Sequence, residues 1–229
     1  MNRISIPETM KILFFIVSFL FVSITATQAQ SLWTFEFQSG GAYNVPMPLT
    51  IKQQGYPDIK LTAHYDTEAL TLPVYMDLRL SRWLNDRSWE IEFIHHKLYL
   101  ENTTSEVQKF NISHGFNMIF LNRGFNQKTF RYHAGAGIVI THPESNIRGK
   151  EFGDSVNTWD LGYYLSGPVI NLAIGKPIRL GNRFFINAEA KTTFAYAFIN
   201  VAEGHADVFN LAFHLILGVG VNLNKSKEK

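Results

Sequence analysis

The sequence predicts an all-β protein, a closed antiparallel up-and-down transmembrane β-barrel, on three observations. Residues 207–223 place Phe209, Leu211, Phe213, Leu215, Leu217, Val219, Val221 and Leu223 on one face and Asn210, His214, Gly218, Gly220 and Asn222 on the other. A strict period of two is a strand, and roughly seventeen residues at about 3.3 Å each far exceed the five or six usual in soluble sheets. Aromatic residues are abundant, with 19 Phe, 9 Tyr and 4 Trp, while nothing beyond the N-terminal segment approaches the apolar run of a membrane helix. Finally, Glu36, Lys60, Asp77, Arg79, Glu90, Glu92, Arg131, Glu189 and Lys191 all fall on the face opposite the apolar one. Facing lipid, each basic group would cost about 2–4 kcal/mol near the midplane, so the charged face is assigned to the lumen. The alternative is a soluble lipocalin-like lipid-binding barrel, which alternates equally well but turns its apolar side chains into the cavity.

Each element follows from alternation and breakers. Arg3 and Lys11 precede an apolar run, 12–24, and a small-residue segment ending at Ala29, so residues 1–29 read as a signal peptide, 30–224 as the barrel and 225–229 as a polar tail. Trp33, Phe35 and Phe37 alternate with Thr34, Glu36 and Gln38. Ile59, Leu61, Ala63 and Tyr65 alternate with Lys60, Thr62 and His64, and Val74, Met76, Leu78 and Leu80 with Tyr75, Asp77, Arg79 and Ser81. Past a polar turn at Asn85, Trp89, Ile91 and Phe93 oppose Glu90 and Glu92; Phe110, Ile112, Phe116, Met118 and Phe120 oppose Asn111, Ser113, Gly115 and Asn117. Tyr132, Ala134, Ala136, Ile138 and Ile140 oppose His133, Gly135 and Gly137. A less regular strand covers 161–176, Phe184, Ile186, Phe194, Tyr196 and Phe198 oppose Asn187, Glu189, Lys191 and Thr193, and 207–223 closes the set.

That makes nine strands, whereas single-chain bacterial barrels have an even number with both termini at the periplasmic end. A tenth fits at Leu49 to Gln53, between a turn at Val45-Pro46-Met47-Pro48 and one at Gln54-Gly55-Tyr56-Pro57. Ten strands put the turns near Gly55, Asn85, Gly124 and Gly181 inside and the long connection 143–160 outside. Eight result if two short segments are loop.

The chain has no cysteine, which excludes disulfides, thiolate metal sites and a lipoprotein anchor at the cleavage site. A net charge of +2 with 17% charged residues carries no polyanion signature, so nucleic acid is not an expected partner. By length, alternation and the C-terminal Gly218-Val219-Gly220-Val221-Asn222-Leu223, the chain resembles small bacterial outer-membrane β-barrel proteins. The resemblance implies an outer-membrane location, lipid or lipopolysaccharide as partner, and recognition of the last strand by the barrel assembly machinery. It departs from that class by lacking a terminal Phe and continuing into Lys225-Ser226-Lys227-Glu228-Lys229.

Polar groups intrude on both faces around 92–97 and 111–115. A hairpin pairing Trp89 with Phe120, Ile91 with Met118 and Phe93 with Phe116 sets His95 opposite His114 on the lipid side, and His96 opposite Ser113 in the lumen, with Glu92 opposite Asn117. Three readings follow. Ser113, His96 and Glu92 are candidate nucleophile, base and orienter of a lipid A or phospholipid acyl hydrolase or acyltransferase, chemistry that small barrels of this class include. His95, Lys97 and His114 are candidate contacts to lipid headgroups or, with His142, a metal site for which spacing supplies no third ligand. The third and preferred reading is a barrel without enzymatic activity, cofactor or metal, in which His96, His133, His64 and His214 join a charge-paired network filling a narrow lumen, and the role is structural or surface interaction. The long loop carries His142-Pro143-Glu144-Ser145-Asn146-Ile147-Arg148-Gly149-Lys150, a further candidate binding segment.

Overall fold

The computed structural model describes residues 31–153 and 162–224; the expected signal peptide and polar tail lie outside these. Every regular element among them is a strand: β1 (Ser31–Val45), β2 (Met47–Gln53), β3 (Ile59–Ala63), β4 (Tyr65–Asp66), β5 (Met76–Leu84), β6 (Arg87–Leu100), β7 (Val107–Gln127), β8 (Phe130–Thr141), β9 (Glu144–Ile147), β10 (Lys150–Phe152), β11 (Tyr164–Leu180), β12 (Phe184–Val201) and β13 (Gly204–Asn222). Antiparallel pairing runs β1, β5, β6, β7, β8, β11, β12, β13 and returns to β1, where Phe35 pairs with Val221 and Tyr43 with Phe213. The ring closes with eight wall strands rather than ten.

Two of the expected strand pairs are single strands with an interruption. β2 prolongs β1 along the same edge of β13, the register passing from Val45↔Leu211 to Leu49↔Val208. Pro46 removes a ladder donor and shifts the buried parity, from Glu36 and Gln38 to Leu49 and Ile51, without reversing the chain. Likewise β3, β4 and β5 descend as one interrupted strand: Asp66 pairs with Tyr99 and Met76 with His95 on β6, while 67–75 leaves the wall and rejoins it. The turn at Gly55 therefore lies opposite the termini, and Gly124 sits inside β7, whose turn is at Lys128, with φ 55°. Asn85 and Gly181 make their turns at the terminal end, and the 143–160 connection, described as far as Gly153, leaves from the other end.

The walls divide into two zones. Toward the termini the exterior is apolar and the interior charged: Leu215, Leu217 and Val219 on β13 and Ile170 and Leu172 on β11 are exposed, while Glu36, Arg79, Glu189 and Lys191 are buried. This is the transmembrane arrangement and the reverse of a lipocalin. At the other end the pattern inverts. Leu49, Ile51, Phe110, Ile112, Ile199 and Val208 fill the interior, and Lys52, Lys60, Lys109 and Asn111 occupy the exterior. Such a section is built for water outside and apolar packing inside.

Aromatic residues mark both borders. Trp33 and Trp89 sit near the terminal end under Arg82 and Arg123, with guanidinium-to-ring distances of 5.8 and 4.9 Å. Phe194, Tyr196 and Phe209 cluster at the other border. From Phe184 to Tyr196, roughly twelve residues at about 3.4 Å each and about 45° of tilt rise about 29 Å, close to the band of such barrels. Small residues on β8 allow the tight coiling: a Cβ on Gly137 would stand 1.9 Å from the Ile119 carbonyl oxygen, and one on Gly135 1.8 Å from Asn122 Oδ1.

Candidate functional site

In an eight-strand barrel inward side chains from opposite walls meet, and the charged lumen centres on Arg79 of β5. Its Nε and Nη2 donate to Glu92 Oε1 at 3.0 and 2.6 Å, and Nη1 and Nη2 donate to Glu189 at 2.8 and 2.5 Å. Glu90 and Glu36 lie 3.8 and 3.9 Å from the guanidinium. Lys191 of β12 bridges Asp77 and Glu92, each at 2.5 Å. Asn122 and Asn171 donate to the second oxygen of Glu92 at 2.7 and 2.9 Å, and His133 contacts Glu90 at 2.7 Å.

Layers above and below complete the filling. Toward the termini, Arg131 lies between Trp83 and Phe185, 4.9 Å from each ring centroid. On the other side Tyr75 hydroxyl meets His214 Nδ1 at 3.0 Å, His214 Nε2 meets Thr193 at 2.9 Å, and His96 Nε2 meets Asn44 Oδ1 at 3.0 Å. Phe116, level with His96, and Met118 and Phe120 below it are buried too, and above them Leu98, Phe110 and Ile112 continue the filling. His64 and Lys60, expected in the lumen, are exposed because they belong to the water-facing extension.

The β6–β7 register differs from the expected one. Trp89 pairs with Arg123, Ile91 with Leu121, Glu92 with Phe120, His95 with Asn117 and His96 with Phe116. The reason is that Phe116, Met118 and Phe120 pack inside; a bulge near Lys97 and Gly115, at φ 138°, then absorb the mismatch. Ser113, His96 and Glu92 are consequently not assembled. Glu92 is locked by Arg79 and Lys191, His96 faces Asn44, and Ser113 lies on the outer wall, donating to Glu144 Oε1 at 3.1 Å.

His95 and Lys97 do face outward, but segment 67–75 lies over them. Lys97 Nζ donates to the Thr71 carbonyl at 2.7 Å and His95 Nδ1 meets Asn117 Oδ1 at 2.7 Å. The segment itself exposes Leu70 and Leu72, at 87% and 83%, so apolar groups rather than imidazole and ammonium meet the surroundings there. His114 is exposed and meets Glu144 of β9, its Nδ1 2.8 Å from Oε1.

The far ends of the strands form one connected platform. Arg148 lies over Tyr56 at 4.8 Å, donates to the Pro57 carbonyl and grips Glu106 at 2.8 Å, while Lys150 lies over the same ring and pairs with Glu203. At the border Lys52 and Tyr196 donate to Asp207 at 2.9 and 2.7 Å. Burial alone raises the Asp207 pKa, but these two donors outweigh it and hold the carboxyl below its ordinary range. A lowered folded-state pKa stabilises above the unfolded value, about 3.9, and that contribution is lost as pH falls through the folded pKa. Amide exchange in the β2–β13 extension is therefore expected to accelerate between pH 5 and 2 relative to an Asp207→Asn variant; equal profiles would refute the coupling.

No family model matches the chain, and no curated protein matches it in sequence. Solved structures similar to it include Neisserial surface protein A (10% identity over 84% of this chain and 99% of that one, TM-score 0.40). Others are the outer membrane protein AlkL in lipid bilayers (11%, 100% of both chains, 0.46) and OprG from Pseudomonas aeruginosa (13%, 87% and 100%, 0.45). The closed ring of eight antiparallel strands, its apolar outer belt and its charged interior give this chain the fold of a small transmembrane β-barrel.

Proposed function

We propose that the protein is a closed outer-membrane anchor holding a rigid external β-platform for surface interaction, without channel or enzymatic activity. The observation that carries this reading is the filling of the lumen at every level: the Trp83–Arg131–Phe185 layer, the Arg79 network, the Tyr75–His96–His214 layer and the apolar plug around Phe116. Side chains that meet across the lumen at each of these levels support a barrel too narrow for a wide aqueous channel. The cross-linking of four external connections through Arg148, Lys150 and Tyr56 supports a preorganised surface, which binds at lower entropic cost than loose loops.

Lipopolysaccharide is the lipid partner this reading assigns, met by Tyr196 at the aromatic border and by Lys52 and Lys60 just above it. The strand this reading assigns to recognition by the assembly machinery is β13, whose Leu217 and Val219 point outward. Planar-bilayer recordings of the purified protein are expected to show no stable conductance, and an Arg79→Ala, Lys191→Ala variant that still folds is expected to show some. Large, long-lived channels in the unaltered protein would overturn the closed-anchor reading.

A further inference from the structure

Segment 111–115 of β7 and the strand β9 meet on the outer wall beyond the aromatic border. Their pairing sets Asn111 against Glu144, and His142 precedes β9 by two residues, its backbone N–H donating to the Gly115 carbonyl. Three side chains from two stretches thereby converge: His114, His142 and Glu144 each offer one donor atom, and these atoms all lie within 4.8 Å of one another. We propose that His114, His142 and Glu144 form a binding site for a divalent transition-metal ion, zinc foremost, with the fourth position left to solvent.

The donor chemistry is right for such an ion. Two imidazole nitrogens and one carboxylate oxygen are a recurrent three-ligand zinc set, and borderline metals such as Ni(II) and Cu(II) accept it too. The geometry is close to assembled. Donors around a tetrahedral zinc stand about 3.4 Å apart, so displacements of about 1 Å suffice. The surroundings already orient the ligands. Lys109 holds the other carboxylate oxygen at 2.7 Å, leaving Oε1 toward His114, and Ser113 donates to that same Oε1 at 3.1 Å. Tyr163 hydroxyl donates to the His114 carbonyl at 3.1 Å, and its ring stands 5.1 Å from the buried His142 ring at 76°. On the remaining side Gly162 makes room for that imidazole: a Cβ there would stand 2.7 Å from its Cε1. The Tyr163 ring and Gly162 thereby fix the orientation of the His142 imidazole, support of the kind a metal ligand requires.

Among the described residues one other group has metal-ligand spacing, Asp77, Glu92 and Glu189, but Arg79 and Lys191 already neutralise it. The same cluster is not a hydrolytic triad. His114 meets Ser113 and Glu144 through the same nitrogen, Nδ1, whereas a relay needs one nitrogen for each partner.

The test is a zinc titration of tag-free, detergent-folded protein against a colorimetric chelator, with Co(II) as a spectroscopic probe. One zinc per chain is expected, with a d–d absorption of tetrahedral intensity for cobalt. His114→Ala and His142→Gln, each checked for heat-modifiable migration, are expected to weaken zinc binding at least tenfold and abolish the cobalt band. Glu144→Gln is expected to weaken it less, and His64→Ala to leave it unchanged. No stoichiometric zinc, or binding that survives in His114→Ala, whose exposed side chain can be removed without harm to the fold, would overturn the assignment.

Discussion

Replacing Arg79 by methionine is expected to lower the unfolding free energy in urea by about 3–5 kcal/mol, the scale on which buried ion pairs fail when one partner is removed. The guanidinium makes four hydrogen bonds of 3.0 Å or less to Glu92 and Glu189 and lies within 3.9 Å of Glu36 and Glu90. Without it these carboxylates face one another in a space that Phe120 and the neighbouring walls close to water. Lys191 reaches Glu92, Glu189 and Asp77 but does not reach Glu36 or Glu90 within pairing distance. Adding Glu92→Gln and Glu189→Gln to Arg79→Met removes the orphaned charges and is expected to recover most of the loss. If Arg79→Met alone were neutral, the lumen would have to be wet enough to screen the carboxylates, and the filled-lumen account would fall.

The second large effect concerns the exterior. Leu215→Arg, in the middle of the apolar belt, is expected to cost about 2–4 kcal/mol in lipid vesicles, whereas Thr50→Arg, beyond the aromatic border, is expected to cost about 0–1 kcal/mol. Both side chains point outward, and the strands that carry them are neighbours, since Thr50 pairs with Asp207. Equal costs in paired unfolding measurements would mean that the border is not at Phe209 and Tyr196.

Parity within single strands was legible in the sequence wherever lipid lay on one side. Tyr75, Asp77, Arg79 and Ser81 are all buried, as are Asn187, Glu189, Lys191 and Thr193, because a charge has only the lumen to go to. Two things were not legible. A breaker such as Pro46 announces that the ladder stops but not whether the chain then reverses, so β1 with β2, and β3 with β5, counted twice. The second is the inversion: the apolar face of Phe116, Met118 and Phe120 reads as lipid-facing by the rule that holds lower down, yet it faces inward, and the β6–β7 register moves with it. The candidate site suffered from the same limit. His142 and Glu144 stand two residues apart in the sequence, but His114 joins them through β7–β9 pairing, which no alternation within one strand encodes.

The inversion also means that each long wall strand dissolves in two liquids. β12 enters as a lipid-solvated strand at Phe184 and ends as a water-solvated one at Val201 without a break in its ladder to β13. Denaturants act by changing water, and so pull on the outer part; bilayer thickness and lipid composition act on the inner part and leave the outer one untouched. Since one unbroken ladder joins them, the two parts share a single set of backbone hydrogen bonds although their side chains answer to different solvents.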